Sequence, residues 1–208
     1  MTILRTTWLP SVGGARGMLI ALPGLIESVE AMLPTLRHWT TRGFDVLGID
    51  PRGHSGSERW SEDLLEGHAG DVIVEDILQV VDLWQLPQGK PLVFFGHSAG
   101  GTAAAAVAAR LSERVSAVIL EDPFWRLPVN QFQNPQVASR AQLELWRMKA
   151  LSPAQRIEEI RAIFPQWNED ELEAWARAKD DTDIALVANG HVIPLTRMDY
   201  TDRRFGSL

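Results

Sequence analysis

The residues best suited to chemistry lie at Gly96-His97-Ser98-Ala99-Gly100. A short apolar run, Leu92-Val93-Phe94-Phe95, precedes them and reads as a buried strand. An alanine-rich run, Gly101 to Arg110, follows and reads as a helix. The pattern G-x-S-x-G between strand and helix predicts a sharp reversal that leaves Ser98 projecting. Gly96 and Gly100 carry no Cβ, so strand and helix can approach closely. The first N–H groups of the helix lack intrahelical partners and face any developing negative charge. The chemistry this suits is nucleophilic attack by a serine hydroxyl exposed at the turn.

Such a serine needs a general base and a group that orients it. The five histidines are His38, His54, His68, His97 and His191. His97 is next to Ser98, and alternation along a strand turns its side chain away from the serine, to pack beside the sheet. His54 reads as a loop-packing residue, His38 as part of a surface helix and His68 as part of a polar loop. His191, in Asn189-Gly190-His191, has no strand before it and reads as a residue of a helical or loop region. Asp50 and Arg52 read as a structural loop pair. No His, Asp or Glu cluster has metal-ligand spacing, there is no P-loop glycine motif, and no cofactor is expected.

The elements around the elbow follow from apolar patterning. Strands are expected near 3–9, 18–22, 44–49, 91–96 and 115–120, and helices near 34–42 and 71–84, the latter with Asp76, Gln79 and Asp82 on its polar face. Strands alternating with helices predict a parallel sheet covered on both faces. After Pro128 strand runs stop. Helices are expected over 139–150, from the capping box Ser152-Pro153-Ala154-Gln155 to about 164, from Asn168 and Glu171 to about 179, and over 181–189.

Composition narrows the classes of function. The chain has 208 residues, enough for one domain with a sizeable core. Its 20 Lys and Arg against 27 Asp and Glu give a net charge of −7, which argues against nucleic acid as a partner. There is no cysteine, hence no disulfide framework or thiol chemistry. No apolar run approaches the roughly 20 residues that span a bilayer. No membrane partner is expected, no signal peptide is visible, and the cytoplasm is the expected location.

Three motifs together, Leu22-Pro23-Gly24-Leu25, Gly48-Ile49-Asp50-Pro51-Arg52-Gly53-His54-Ser55-Gly56-Ser57 and Gly96-His97-Ser98-Ala99-Gly100-Gly101, occur in the order and spacing of the α/β-hydrolases, and the chain resembles that family from about 3 to 190. The resemblance implies a doubly wound, mostly parallel α/β sheet with a helical cap: core 1–128, cap 129–191, irregular tail 192–208. It implies Ser98 as nucleophile, backbone N–H groups of Ala99 and Leu25 as the oxyanion hole, and Asp122, just after the strand at 115–120, as an acid in the manner of some relatives. Serine at the elbow, where dehalogenases and epoxide hydrolases of this fold use aspartate, implies a carboxylic ester or similarly activated small-molecule substrate.

The family's histidine follows its last core strand. Here no apolar strand followed by Gly-Asp, and none ending in Gly-His, comes after the cap. The reading is a chain truncated relative to the family, its last two core strands missing and its activity crippled. A small-ligand-binding pseudoenzyme and a piece of a split hydrolase are the alternatives. Truncation would leave the strand at 115–120 as an open sheet edge, so self-association through that edge is expected.

Overall fold

The computed structural model describes residues 2–65, 69–84, 89–123, 135–183 and 185, with the side chains of 135–142 excepted. In chain order the elements are β1 (Thr6–Leu9), β2 (Gly17–Leu22), a 3-10 turn (Val29–Met32), α1 (Leu33–Thr41), β3 (Phe44–Ile49), α2 (Glu62–Leu65), α3 (Ala69–Leu83), β4 (Leu92–His97), α4 (Ala99–Arg110), β5 (Ala117–Glu121), α5 (Pro135–Ala150), α6 (Pro153–Ile163) and α7 (Glu169–Asp181).

Among the described residues the strands form one sheet of order β1-β3-β2-β4-β5. β1 runs antiparallel to β3, and every other pair is parallel. All six residues of β2 are buried, as expected of a central parallel strand covered on both faces. Alternation divides them. Met18, Ile20 and Leu22 join Phe94 in the core under α3 and α4, while Leu19 and Ala21 join Val93, Phe95 and Leu36 in the core under α1.

Register brings the strand ends together. Leu22 pairs with Gly96, and Gly96 with Leu120. The loops beginning at Pro23, Ser98 and Asp122 therefore leave the sheet side by side, at its carboxyl end, where ligands bind in open α/β sheets.

The expected elements that fall within the described residues are present with shifted ends. The first strand starts at Thr6 rather than Ile3, because Ile3 and Arg5 bond to Glu58, Ser57 and Asp50 of the loop after β3 instead of to a strand. Asp76 is not on a solvated face of α3. It is buried, and its carboxylate accepts from Arg52 Nε at 2.8 Å. The loop pair is thus Arg52 with Asp76, not Arg52 with Asp50. The helix expected over 139–150 begins at Pro135. Residues 124–134, most of the helix expected over 181–189, and the tail 192–208 lie outside the described residues.

β5 pairs with β4 on one side, and among the described residues nothing pairs with its other side. Its residues are exposed or half-buried, Val118 at 37%, unlike those of β4.

Both expected capping boxes are formed, Ser152 with Gln155 and Asn168 with Glu171. α5, α6 and α7 pack around a buried guanidinium. Arg156 donates to the carbonyls of Met148 and Lys149, which close α5, to Ala176 O, and to both oxygens of Asp180 at 2.7 and 2.6 Å. The forked donors of arginine match these acceptors, and a lysine ammonium could serve only some of them. Arg156→Lys is expected to cost about 2–3 kcal/mol of stability, measured by urea denaturation. An unchanged midpoint would show that the three helices do not depend on the guanidinium.

Candidate functional site

Ser98 joins β4 to α4 with φ 49° and ψ −118°, a strained left-handed backbone for a residue with a Cβ. Two glycines make the turn possible. A Cβ on Gly96 would overlap Gly100 and the nitrogen of Gly101, and one on Gly100 would overlap the carbonyls of Leu22 and Pro23. The Ser98 N–H donates to Glu121 O at 2.9 Å, which ties the elbow to the end of β5. The Ser98 side chain is half-buried, and its hydroxyl makes no hydrogen bond among the described residues.

α4 then runs buried from Ala99 to Ala108. The small alanine side chains let it lie close on β4, β2 and β5. Ala99 is its first residue, so its N–H has no intrahelical acceptor. Leu25 sits in the loop after β2, half-buried, and among the described residues its N–H too donates to no protein acceptor. Asp122 follows β5 directly, exposed, at φ 43°. The structure thus brings Ser98, Ala99 and Asp122 to one end of the sheet, beside the loop that carries Leu25. Among the described residues no histidine bonds to Ser98 or Asp122.

Each described histidine is engaged elsewhere or remote. His97 Nδ1 lies 2.9 Å from Glu27 Oε2, on the α1 side of the sheet. The Glu27 carboxylate holds the imidazole above its ordinary pKa. Burial pushes Glu27 up, but the His97 hydrogen bond and the charges of His97 and Lys179 bring it below the usual carboxylate range. His54 is buried with both nitrogens used: Nε2 accepts from the Ile26 N–H at 3.2 Å, and Nδ1 faces Arg52 O at 3.0 Å. This fixes the tautomer with the proton on Nδ1, and burial keeps the ring neutral by lowering its pKa. His38 is exposed on α1. His68 and His191 lie outside the described residues.

Sequence reasoning missed the polar cluster that shapes the loop after β2. Glu27 Oε2 accepts from the Gly24 N–H at 3.0 Å as well as facing His97. Lys179 of α7, only 2% exposed, donates to Ile26 O at 2.8 Å and lies 4.0 Å above the Trp175 ring. Burial pushes its ammonium down to about 8, against the attraction of Glu27. Its signal was readable: Leu172, Ala176 and Lys179 fall on one face of α7, so a lysine stands in the buried stripe. A cleft of about 210 Å³, lined by Glu27, Met32, Phe95, His97 and Trp175 among others, opens beside this cluster.

A profile of the serine aminopeptidase S33 family of hydrolases matches residues 13–189. The chain belongs to the α/β-hydrolases. Solved structures agree on the fold. An esterase from Exiguobacterium antarcticum superposes with a TM-score of 0.65 at 17% identity, over 92% of this chain and 69% of that one. N-formylmaleamic acid deformylase from Pseudomonas putida S16 gives 0.61 at 18%, over 92% and 71%. An epoxide hydrolase from Bacillus megaterium gives 0.60 at 18%, over 91% and 68%. A protein of Mycobacterium phage D29 with the provisional name non-heme haloperoxidase is 30% identical over 112 residues, 54% of this chain. The chain spans 38% of that relative's length. Among the described residues no helix is long and apolar enough to cross a membrane.

Asp50, at the end of β3, supports the loop from beneath. Its Oδ1 accepts from the Val29 N–H at 2.8 Å, while Oδ2 is buried without a hydrogen bond, the Arg5 guanidinium standing 4.0 Å away. Burial raises its pKa to about 6. A folded pKa above the unfolded one means that the protonated form favours the native state. Stability is therefore greatest below about pH 4 as far as this group is concerned, and is lost as pH rises to about 6. Asp50→Asn is expected to remove that slope, worth about 2 kcal/mol, in unfolding free energies measured from pH 4 to 7. A variant that keeps the wild-type slope would contradict this.

Proposed function

We propose that this α/β-hydrolase is of the serine type and acts on a carboxylic ester or similarly activated carbonyl compound, with Ser98 as nucleophile and α5–α7 as its cap. The observation that carries the reading is the strained Ser98 backbone at the head of α4, followed by the uncommitted N–H of Ala99, with the uncommitted N–H of Leu25 in the loop that leaves the sheet beside it. In this reading Ser98 Oγ attacks the carbonyl carbon and its proton passes to solvent. The oxyanion is held by the Leu25 and Ala99 N–H groups and by the positive end of α4. Collapse expels the alcohol and leaves the acyl group on Ser98, which water then removes. Asp122 is the acid beside this centre. A serine at the elbow favours ester chemistry over the epoxide chemistry of the Bacillus relative.

No described histidine is placed to take the proton, so the reading includes weak turnover. The same observation favours the second reading, a protein that binds a small ligand under the cap without turning it over.

One experiment separates them. A fluorophosphonate is expected to label Ser98 alone, located by peptide mass spectrometry, and a p-nitrophenyl ester is expected to turn over at trace level. Oxyanion stabilisation and binding alone supply roughly 10³–10⁴-fold over water. Ser98→Ala should abolish both signals. Turnover that survives Ser98→Ala would place the chemistry elsewhere, and the absence of any labelling would favour the binding protein.

A further inference from the structure

Ile26 has φ 59°, left-handed for a β-branched residue. Such strain persists only where the surroundings over-determine it. Both polar groups of Ile26 are held: its N–H by His54 Nε2, its carbonyl by Lys179 Nζ at 2.8 Å. A desolvated ammonium is costly on the buried stripe of α7, where an apolar side chain would sit at no such penalty. Nor is Lys179 needed to dock the helix. Arg177 bonds Glu30, Arg59 bonds Asp181 O, and Asp183 bonds the Trp60 N–H and, through its own N–H, Gly53 O.

What Lys179 does hold is one end of a short relay of peptide groups. The Ile26 carbonyl and the Glu27 N–H belong to the same peptide unit. That N–H donates to Gly24 O at 3.2 Å. Gly24 O in turn shares its peptide unit with the Leu25 N–H. A group that fixes the Ile26 carbonyl therefore fixes, through one hydrogen bond, the plane of the peptide that presents the Leu25 N–H. It also polarises both units in the direction that makes this N–H a better donor.

We propose that Lys179 is a positioning residue for the oxyanion hole, acting from the helical segment on the Leu25 N–H through the Ile26–Glu27 and Gly24–Leu25 peptides. This rests on the reading of Leu25 as an oxyanion donor. It makes the site conditional on α7: with the helix in place the donor is aimed, and with Lys179 withdrawn Ile26 is free to leave its strained conformation.

The test compares wild type, Lys179→Met, Lys179→Arg, Ile26→Gly and the double variant Ile26→Gly with Lys179→Met. The readouts are the rate of Ser98 labelling by a fluorophosphonate and amide hydrogen exchange over 24–27. Lys179→Met is expected to slow labelling about tenfold, the loss of one charge-assisted hydrogen bond. It should raise exchange at 24–27 while the sheet strands keep their protection. Lys179→Arg, still a donor, should recover most of the rate. In the Ile26→Gly background, where a glycine takes positive φ without strain, Lys179→Met should slow labelling less. Should Lys179→Met not fold, Lys179→Gln, too short to reach the carbonyl, takes its place with the same expectation. Wild-type labelling and exchange in Lys179→Met, or an equal loss in both backgrounds, would overturn the proposal. If the wild type is not labelled at all, the Ser98 reading fails. Exchange at 24–27 then decides the clamp alone: raised exchange in the variant upholds it and unchanged exchange overturns it.

Discussion

The site depends on one backbone contact. The first turn of α4 is pressed against the end of β2 so closely that a Cβ on Gly100 would overlap the carbonyls of Leu22 and Pro23. This contact sets the distance between two loops that are far apart in sequence, one holding Ser98 and Ala99, the other Gly24 to Glu27. It also explains why Ser98 takes a left-handed backbone. β4 runs parallel to β2 with Leu22 level with Gly96, and α4 must fold back over both strands within a few residues. Any side chain at 96 or 100 would push the helix away and separate the turn that carries Ser98 and Ala99 from the loop that carries Leu25.

Around that backbone contact the support is ionic, with Arg52, Asp76 and Arg156 buried. Arg52 with Asp76 ties the loop after β3 to α3, Arg156 with Asp180 joins α6 to α7, and Glu27 lies between His97 and Lys179. Ion pairs with a buried or half-buried member add little net stability against apolar replacements. What they add is direction: each anchors a loop or helix end that the sheet core cannot reach. The sheet sets where the chain turns, and the ion pairs set which way the turning peptides face.

This division explains what was legible in the sequence. The strand-turn-helix at Gly96–Gly100, the continuous apolar runs of β2 and β4 and the two capping boxes are written in local spacing, and their positions followed within a few residues. The burial of Asp76, the clamp of Lys179 on Ile26 and the engagement of His97 with Glu27 join residues from 24 to 153 positions apart. Local periodicity places a charged residue in such a case on a solvated face, and it did so wrongly for Asp76. The start of β1 was misplaced for the same reason, since Ile3 and Arg5 are bonded to a loop some fifty residues on. For Lys179 the hint was its place in an otherwise apolar stripe.

The account stands on the Leu25 and Ala99 N–H groups stabilising charge that develops beside Ser98. The most direct measurement is a crystal structure of the protein after phosphonylation of Ser98, in which the phosphonyl oxygen stands where a carbonyl oxyanion would. The account predicts that oxygen within about 3 Å of both backbone nitrogens, with Ile26 still left-handed and its carbonyl on Lys179. A phosphonyl oxygen turned to solvent, or held by other donors while both N–H groups stay unused, would contradict it.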